Sequence, residues 1–180
     1  MATATAFAQT PGDYFCVPPK NQPRRDKHMN CMDMSRHRQG LWKFYSGSQL
    51  LLNEINYKDN KMHGACIWYF ATIGTIRVNA NYFDGKRDGD YVANFFNGQP
   101  QMEGSYDYGK KTGTWTYYYS TTGEVRCTGA YVNGKMNGPW KFYSSKGLLK
   151  KTIEYKYGEV LNTTYPTTPT TKPLASPEKK

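Results

Sequence analysis

Apolar and polar residues alternate with period two through most of the chain. In Gly138-Pro-Trp-Lys-Phe-Tyr, Trp140 and Phe142 alternate with Lys141 and Tyr143. After a turn at Lys146-Gly147, Lys151, Ile153 and Tyr155 alternate with Lys150, Thr152 and Glu154. Alternation of this kind, broken by Gly, predicts strand, tight turn and strand. A helix is excluded because Gly recurs too often and no 3.6-residue stripe appears. The dipeptides Asp84-Gly85, Asn97-Gly98 and Asn133-Gly134 accept positive φ at both central positions of a hairpin turn, so tight turns are expected there.

The strand pairs repeat. Gly40, Gly64, Gly89, Gly113 and Gly138 are spaced 24, 25, 24 and 25 residues apart. Tyr57, Tyr82, Tyr106, Tyr131 and Tyr155 keep the same beat. So do Asn60, Gly85, Gly109, Gly134 and Gly158, followed by Lys61, Lys86, Lys110, Lys135 and Glu159. Two positions after each leading Gly stand Trp42, Cys66, Tyr91, Trp115 and Trp140. Fixed-period similarity of this length marks a stacked repeat architecture. The expected fold is all-β: an elongated, twisted antiparallel sheet of about five stacked hairpins over residues 36–160, each copy touching only its neighbours. One face carries the Tyr column with Ile55, Ala80, Gly104, Gly129 and Ile153 beside it. The small residues in that row leave room for bulky partners such as Trp115 on the neighbouring strand. The other face is polar. Copies two and three have Cys66 in place of Trp, and Ala93 and Asn94 in place of rings, which predicts a looser middle.

The pattern from Gly113-Thr-Trp-Thr-Tyr-Tyr-Tyr to Tyr131-Val-Asn-Gly-Lys135 resembles the MORN repeat, in its bacterial form G-x-W-x-x-Y, turn Gly, Y-x-x-G-K. Arg38-Gln39-Gly40 at the opening of the first copy is similar to bacterial envelope members of that group. The resemblance implies a stacked β-hairpin fold and a scaffold or adaptor role. It also implies, for some members, contact with phospholipid or an antitoxin label given by association.

The flanking segments differ in composition. Residues 1–35 carry Pro18-Pro19 and Pro23 and are expected to be irregular. Ala6-Phe7-Ala8 before Gln9 looks like the end of a secretory signal, although the charged and apolar regions that precede such a site are missing. Export to a bacterial periplasm or outer membrane is the expected location, with the cytoplasm as the alternative. Residues 161–180 are rich in Thr and Pro and are expected to be a disordered tail. Aromatic residues make up 16% of the chain, so burial is expected to come from rings with polar tips more than from a thick aliphatic core. The net charge of +10 favours acidic partners and is spread along the chain. No apolar run is long enough for a transmembrane helix.

Candidate chemistry is sparse. Cys66 and Cys127 fall on the ring-rich face and read as small buried residues. Taken as four strands apart, they are too far from each other to pair. Cys16 and Cys31 share the N-terminal segment and are the pair that a disulfide would join in an oxidising compartment. The set Cys16, His28, Cys31 and His37 lacks the close Cys pair of a zinc site, and His63 falls in a turn. No Gly-x-Ser-x-Gly elbow or phosphate loop occurs. No catalytic residue, metal site or cofactor is expected, nor any specific nucleic acid.

Two surfaces remain as binding candidates. Tyr45, Tyr69, Tyr118 and Tyr143 point away from the Trp face by parity and share their side with Lys43 and Lys141, a surface suited to a protein or glycan partner. Lys61, Lys86, Lys110 and Lys135 form a ladder about 10 Å apart along one edge, with Arg87 and Lys111 beside it, suited to anionic lipid or a polyanion. The leading expectation is a non-catalytic interaction scaffold for another protein. The ladder is the alternative, and an antitoxin-like role the third.

Overall fold

A computed structural model describes residues 14–16 and 30–167. Within them, thirteen strands form one antiparallel sheet in which spatial order equals chain order. The strands are β1 (Tyr14–Cys16), β2 (Cys31–Asp33), β3 (Arg38–Tyr45), β4 (Leu51–Lys58), β5 (Lys61–Tyr69), β6 (Ile76–Phe83) and β7 (Lys86–Asn94). They continue as β8 (Pro100–Asp107), β9 (Lys110–Tyr118), β10 (Val125–Val132), β11 (Lys135–Tyr143), β12 (Leu149–Lys156) and β13 (Glu159–Thr164). Each repeat is one hairpin of this open sheet, as the periodicity predicts.

The two repeated Gly columns do different backbone work. The leading glycines all have positive φ, from 63° at Gly113 to 95° at Gly89. Gly64, Gly89, Gly113 and Gly138 each sit where the ladder to the preceding strand slips. Between β8 and β9, for example, Glu103 faces Thr116 but Ser105 faces Thr112. This is a β-bulge, which a residue free to take positive φ accommodates at low cost. The second column closes two-residue turns between copies. Asp59-Asn60, Asp84-Gly85, Tyr108-Gly109, Asn133-Gly134 and Tyr157-Gly158 all have positive φ at both residues, the mirror-image turn that matches strand twist.

The tight turns therefore join neighbouring copies, and the loops inside copies are longer. Asn97-Gly98 departs from the dipeptide expectation: it lies in the loop between β7 and β8, and only Gly98 has positive φ. That loop closes with Phe95 N–H donating to the Gln99 carbonyl at 2.8 Å. Its strands are held apart by five residues, so the dipeptide has no two-residue turn to make.

The strands also extend beyond the predicted repeats. Two short strands, β1 and β2, arise in the segment read as irregular, where the Cys16–Cys31 disulfide joins facing residues of the pair. At the other end β13 runs to Thr164 because its residues pair with β12 as the first strand of a sixth copy would. Residues 168–180 and the signal-like Met1–Ala8 lie outside the described residues.

Burial comes from packing along one face. Trp115 and Trp140 are 0% exposed. Each indole lies over the Gly of the preceding strand, so that a methyl on Gly104 or Gly129 would overlap the ring. The indole N–H groups donate to the Ser105 carbonyl at 3.1 Å and the Ala130 carbonyl at 3.0 Å. Trp42 does the same to Cys31 at 3.2 Å. Tyrosines of the repeated column stand edge-on to these indoles, with Tyr106–Trp115 and Tyr131–Trp140 both 5.1 Å apart at 86° and 84°. The middle copies are not loosened. Cys66, Ala80, Tyr91 and Ala93 are buried, because small residues there sit beside Trp68 and Trp115, which fill the space.

Two expectations follow. Gly104→Ala and Gly129→Ala should each destabilise the sheet by about 1–3 kcal/mol or more in urea unfolding, through overpacking against the indole. Gly113→Ala, with open space around it, should cost only the left-handed backbone penalty of about 1–2 kcal/mol; the reverse order would show that indole-on-glycine packing is not what holds the copies. Reducing the Cys16–Cys31 bridge should speed amide exchange in β2 and β3 and leave β7–β12 unchanged, since a stacked copy reports only on its neighbours.

Candidate functional site

The alternation of each strand gives the sheet two chemically distinct faces and two edges. The polar face carries Tyr45, Tyr69, Tyr118 and Tyr143 at the ends of β3, β5, β9 and β11, with Asn94 taking the place in β7. These tyrosines are half-buried. The Tyr69 hydroxyl donates to Glu54 at 2.8 Å, and the Tyr118 hydroxyl to Glu103 at 2.6 Å. Glu54 also pairs with Lys43 at 2.8 Å, which puts Lys43 beside the first two rings. Lys141 is exposed near Tyr143. Glu54 and Glu103 are four strands apart, so the row has two centres with the Asn94 gap between them.

Charge and burial tune the first centre. Burial pushes the Glu54 carboxyl up, but hydrogen bonds from Lys43 and Tyr69 outweigh it and leave the group lowered. Burial and the bond to Glu54 push the Tyr69 phenol up to about 12. The ring is thus held protonated and aimed at a carboxylate.

The edge of tight turns carries the Lys ladder, and the structure gives it a structural task. Lys61, Lys86, Lys110 and Lys135 are exposed at their tips. Their stems back the next turn: a Cβ placed on Gly85, Gly109, Gly134 or Gly158 would lie 3.9, 4.0, 3.7 and 3.9 Å from the Cβ of Lys61, Lys86, Lys110 and Lys135. The turn amides Gly85, Gly109, Gly134 and Gly158 donate to the residue after each Lys. Two of the charges are engaged. Lys61 pairs with Asp84 at 2.7 Å, and Lys86 lies 4.3 Å from the centre of the Tyr108 ring.

The ring-rich face holds cations, and Arg87 and Lys111, expected beside the Lys ladder, turn onto it. Arg38, Arg87 and Lys111 sit two residues before a leading Gly, while the same place is Met62 and Met136 in copies two and five. The Arg87 guanidinium bonds the hydroxyls of Tyr82 and Tyr106, both at 3.3 Å. Arg38 lies 5.1 Å from the Trp42 ring centre and bonds the Tyr57 hydroxyl at 3.2 Å. Lys111 lies 4.0 Å from the Trp115 ring centre and bonds the Tyr117 hydroxyl at 2.8 Å. Burial lowers the Lys111 pKa, with Arg87 adding to the effect. Arg126 and Lys151 lie over Tyr117 and Phe142 on the same face. Beside Arg126, a shallow cleft of about 290 Å³ is lined by Phe95, Gln101, Met102, Tyr117 and Tyr118.

Cysteine and histidine chemistry is occupied or inert. Cys16 and Cys31 are bonded to each other and leave no thiolate for a metal, and His28 lies outside the described residues. Cys66 and Cys127 are free and buried, five strands apart, one more than the copy count suggests because Cys127 lies on the second strand of its hairpin. Burial pushes the Cys66 thiol up to about 11 and raises Cys127, so neither is activated. His63 packs on Phe83 at 5.0 Å. Asp33, His37 and Asp59 bring ligand-type atoms within 4.8 Å of one another, but the buried Gln39 amide already donates to both carboxylates, at 3.0 and 2.7 Å.

No family model matches the chain, and no curated protein matches it. Among solved structures, a mutant of TarM from S. aureus, in complex with Fondaparinux, alpha-GlcNAc-glycerol and UDP, aligns with 14% identity and a TM-score of 0.34 over 54% of this chain. The chain spans 19% of that protein's length. A likeness at this level carries no argument about fold or function.

The Glu54–Tyr69 pair is open to titration. Glu54 is lowered in the fold, so its contribution is present above the ordinary Glu value of about 4.3 and is lost as pH falls through the folded value. Tyr69 is raised, so its contribution is present below the ordinary Tyr value of about 10 and is lost as pH rises through about 12. In urea unfolding across pH, Glu54→Gln should flatten the acid limb and Tyr69→Phe the alkaline limb relative to the parent chain. Unchanged limbs would mean that the pair contributes nothing to the fold.

Proposed function

We propose that this protein is a non-catalytic scaffold of MORN-like repeats that docks another protein on its polar face. The observation that carries the reading is the pinning of ring and carboxylate there: Tyr69 on Glu54 and Tyr118 on Glu103. A ring fixed before binding loses little freedom when a partner arrives, and half-buried aromatics with flanking charge suit a protein interface. The repeat supplies rigidity, because each hairpin is hydrogen-bonded to a neighbour on both sides. Residence in a bacterial envelope fits a chain whose N-terminal strand is held by a disulfide.

The Lys ladder supports a second reading, a polyanion or anionic lipid contact along the turn edge, less well. Its stems back the turns, and two of its four charges are already engaged.

Crosslinking in the cells that make the protein, followed by mass spectrometry, tests the docking. A single stoichiometric protein should be recovered with the parent chain and lost, at least tenfold, when Tyr45, Tyr69, Tyr118 and Tyr143 are all replaced by Ala (about 1.4 kcal/mol or more). Recovery unaffected by the four substitutions would end the reading.

A further inference from the structure

The two faces of the sheet differ in charge as well as in polarity. Every described strand carboxylate falls on the polar side: Glu54 faces Lys43 and Ile67, Asp90 faces Ser105, Glu103 faces Val92 and Thr116, and Glu154 faces Pro139. Register places Asp33, Asp88, Asp107 and Glu159 there too, each next in sequence to a ring-face residue. The ring-rich face has no acid among the described strand residues, yet it carries Arg38, Arg87, Lys111, Arg126 and Lys151. A protein that only needed solubility would not sort its charges by face. Holding cations on rings is costly for Lys111, whose burial lowers its pKa.

These cations are held in an order. Along the Tyr column the sequence of neighbours is Arg38, Tyr57, Met62, Tyr82, Arg87, Tyr106, Lys111, Tyr131, Met136, Tyr155. Arg87 and Lys111 are two strands, about 10 Å, apart, and Arg126 and Lys151 repeat that spacing nearer the loop edge. From β3 to β12 the row spans nine strand steps, about 43 Å. Between the cations stand tyrosine hydroxyls, which donate and accept.

We propose that the ring-rich face binds a linear acidic polysaccharide, a sugar chain carrying carboxylate or sulfate groups, laid across the strands. The chemistry separates this occupant from the others that positive charge attracts. Single-stranded nucleic acid needs open ring planes on which bases stack; here the indoles of Trp115 and Trp140 are fully buried and the Tyr rings flank cations. A membrane needs cations that project to the head groups; these lie back on rings at 4.0 to 6.0 Å. An acidic peptide is read by Arg clusters whose guanidinium groups fork onto carboxylates, whereas Arg87 and Lys111 are already bonded to tyrosine hydroxyls, the groups a sugar hydroxyl joins or replaces. A sugar chain offers hydroxyls to the Tyr row at every residue and charge at regular intervals.

The repeat itself supplies a variant that preserves the fold. Met already occupies the Arg87 and Lys111 position in copies two and five, so R87M with K111M replaces cations by the protein's own alternative. The reciprocal pair, M62R with M136R, completes the cation row. Binding is measured by titrating the full chain with labelled polygalacturonate, with neutral dextran as control, across a salt series. R87M/K111M should bind about thirtyfold more weakly, at about 1 kcal/mol per cation, and M62R/M136R should bind more tightly. The ladder triple K61Q/K110Q/K135Q removes more charge from the edge and should change affinity less than threefold. Equal loss in the ladder triple would reduce the effect to net charge and overturn the proposal. So would tighter binding of poly(dT), polyglutamate or anionic vesicles than of polygalacturonate. If R87M/K111M does not fold, an unchanged affinity in M62R/M136R overturns it alone. A Tyr45→Ala/Tyr69→Ala/Tyr143→Ala variant, altered on the opposite face and keeping Tyr118 in the cleft beside Arg126, should keep its polysaccharide affinity, which separates failure here from failure of the protein-docking reading.

Discussion

Trp115 and Trp140 are fully buried although, among the described residues, no second layer of structure lies over them. In a sheet one strand thick, apolar surface must be removed from water sideways, by laying large side chains over the strand next door. That requires a strand with nothing in the way, and Gly104 and Gly129 supply it. The indole N–H then finds a backbone carbonyl left available beside the bulge, so the ring is buried without an orphaned donor. At about 25 cal/mol per Å² of apolar surface, burying an aromatic of this size gives several kcal/mol per copy, enough to make neighbouring hairpins cohere.

The bulge is what makes the indole fit, and a positive-φ glycine makes the bulge. The Glu103–Thr116 pairing sets Trp115 opposite Gly104, and the slip that follows, to Ser105–Thr112, is where the indole N–H reaches the Ser105 carbonyl. The two-residue turns impose the complementary constraint. Each brings the next copy back in register, and each turn amide bonds to the strand of the copy before. The ladder lysines fall at this join, and their stems are packing elements before they are charges.

Much of this was legible in the sequence because a repeat shows its constraints five times. The strand period, the glycine columns and the pairing of small with large residues on one face all follow from it. What failed to show was local or irregular. Asn97-Gly98 has the composition of a tight turn, but loop length is set by the strands on either side. The strands β1 and β13 lie beyond the five copies, where one pairing partner and, for β1, a disulfide decide the outcome. The tyrosine row was visible by parity, whereas its anchoring to Glu54 and Glu103 needs cross-strand register. The ring-face cations showed only in part: Arg87 and Lys111 stood out beside the Lys ladder, but not the face they occupy. Arg38, Met62, Arg87, Lys111 and Met136 form a column by position and not by residue type, so a search for identity passes over it.

That mixed column says something about what the fold demands. Met and a cation are interchangeable there as packing, since both are long, unbranched near the backbone and able to lie between two tyrosine rings. The fold therefore does not explain why three of five copies hold a charge. Nor does solubility, because charge placed on the outward face or the edge would serve without the desolvation that Lys111 bears. The cost is incurred on the face that excludes every described strand carboxylate, while the opposite face pairs its acids with Lys43, Tyr69 and Tyr118. Among the described residues no further layer covers either face of this thin sheet. On the two proposed readings, segregating charge between the faces gives one rigid body two different affinities, and a partner on one side does not block a partner on the other.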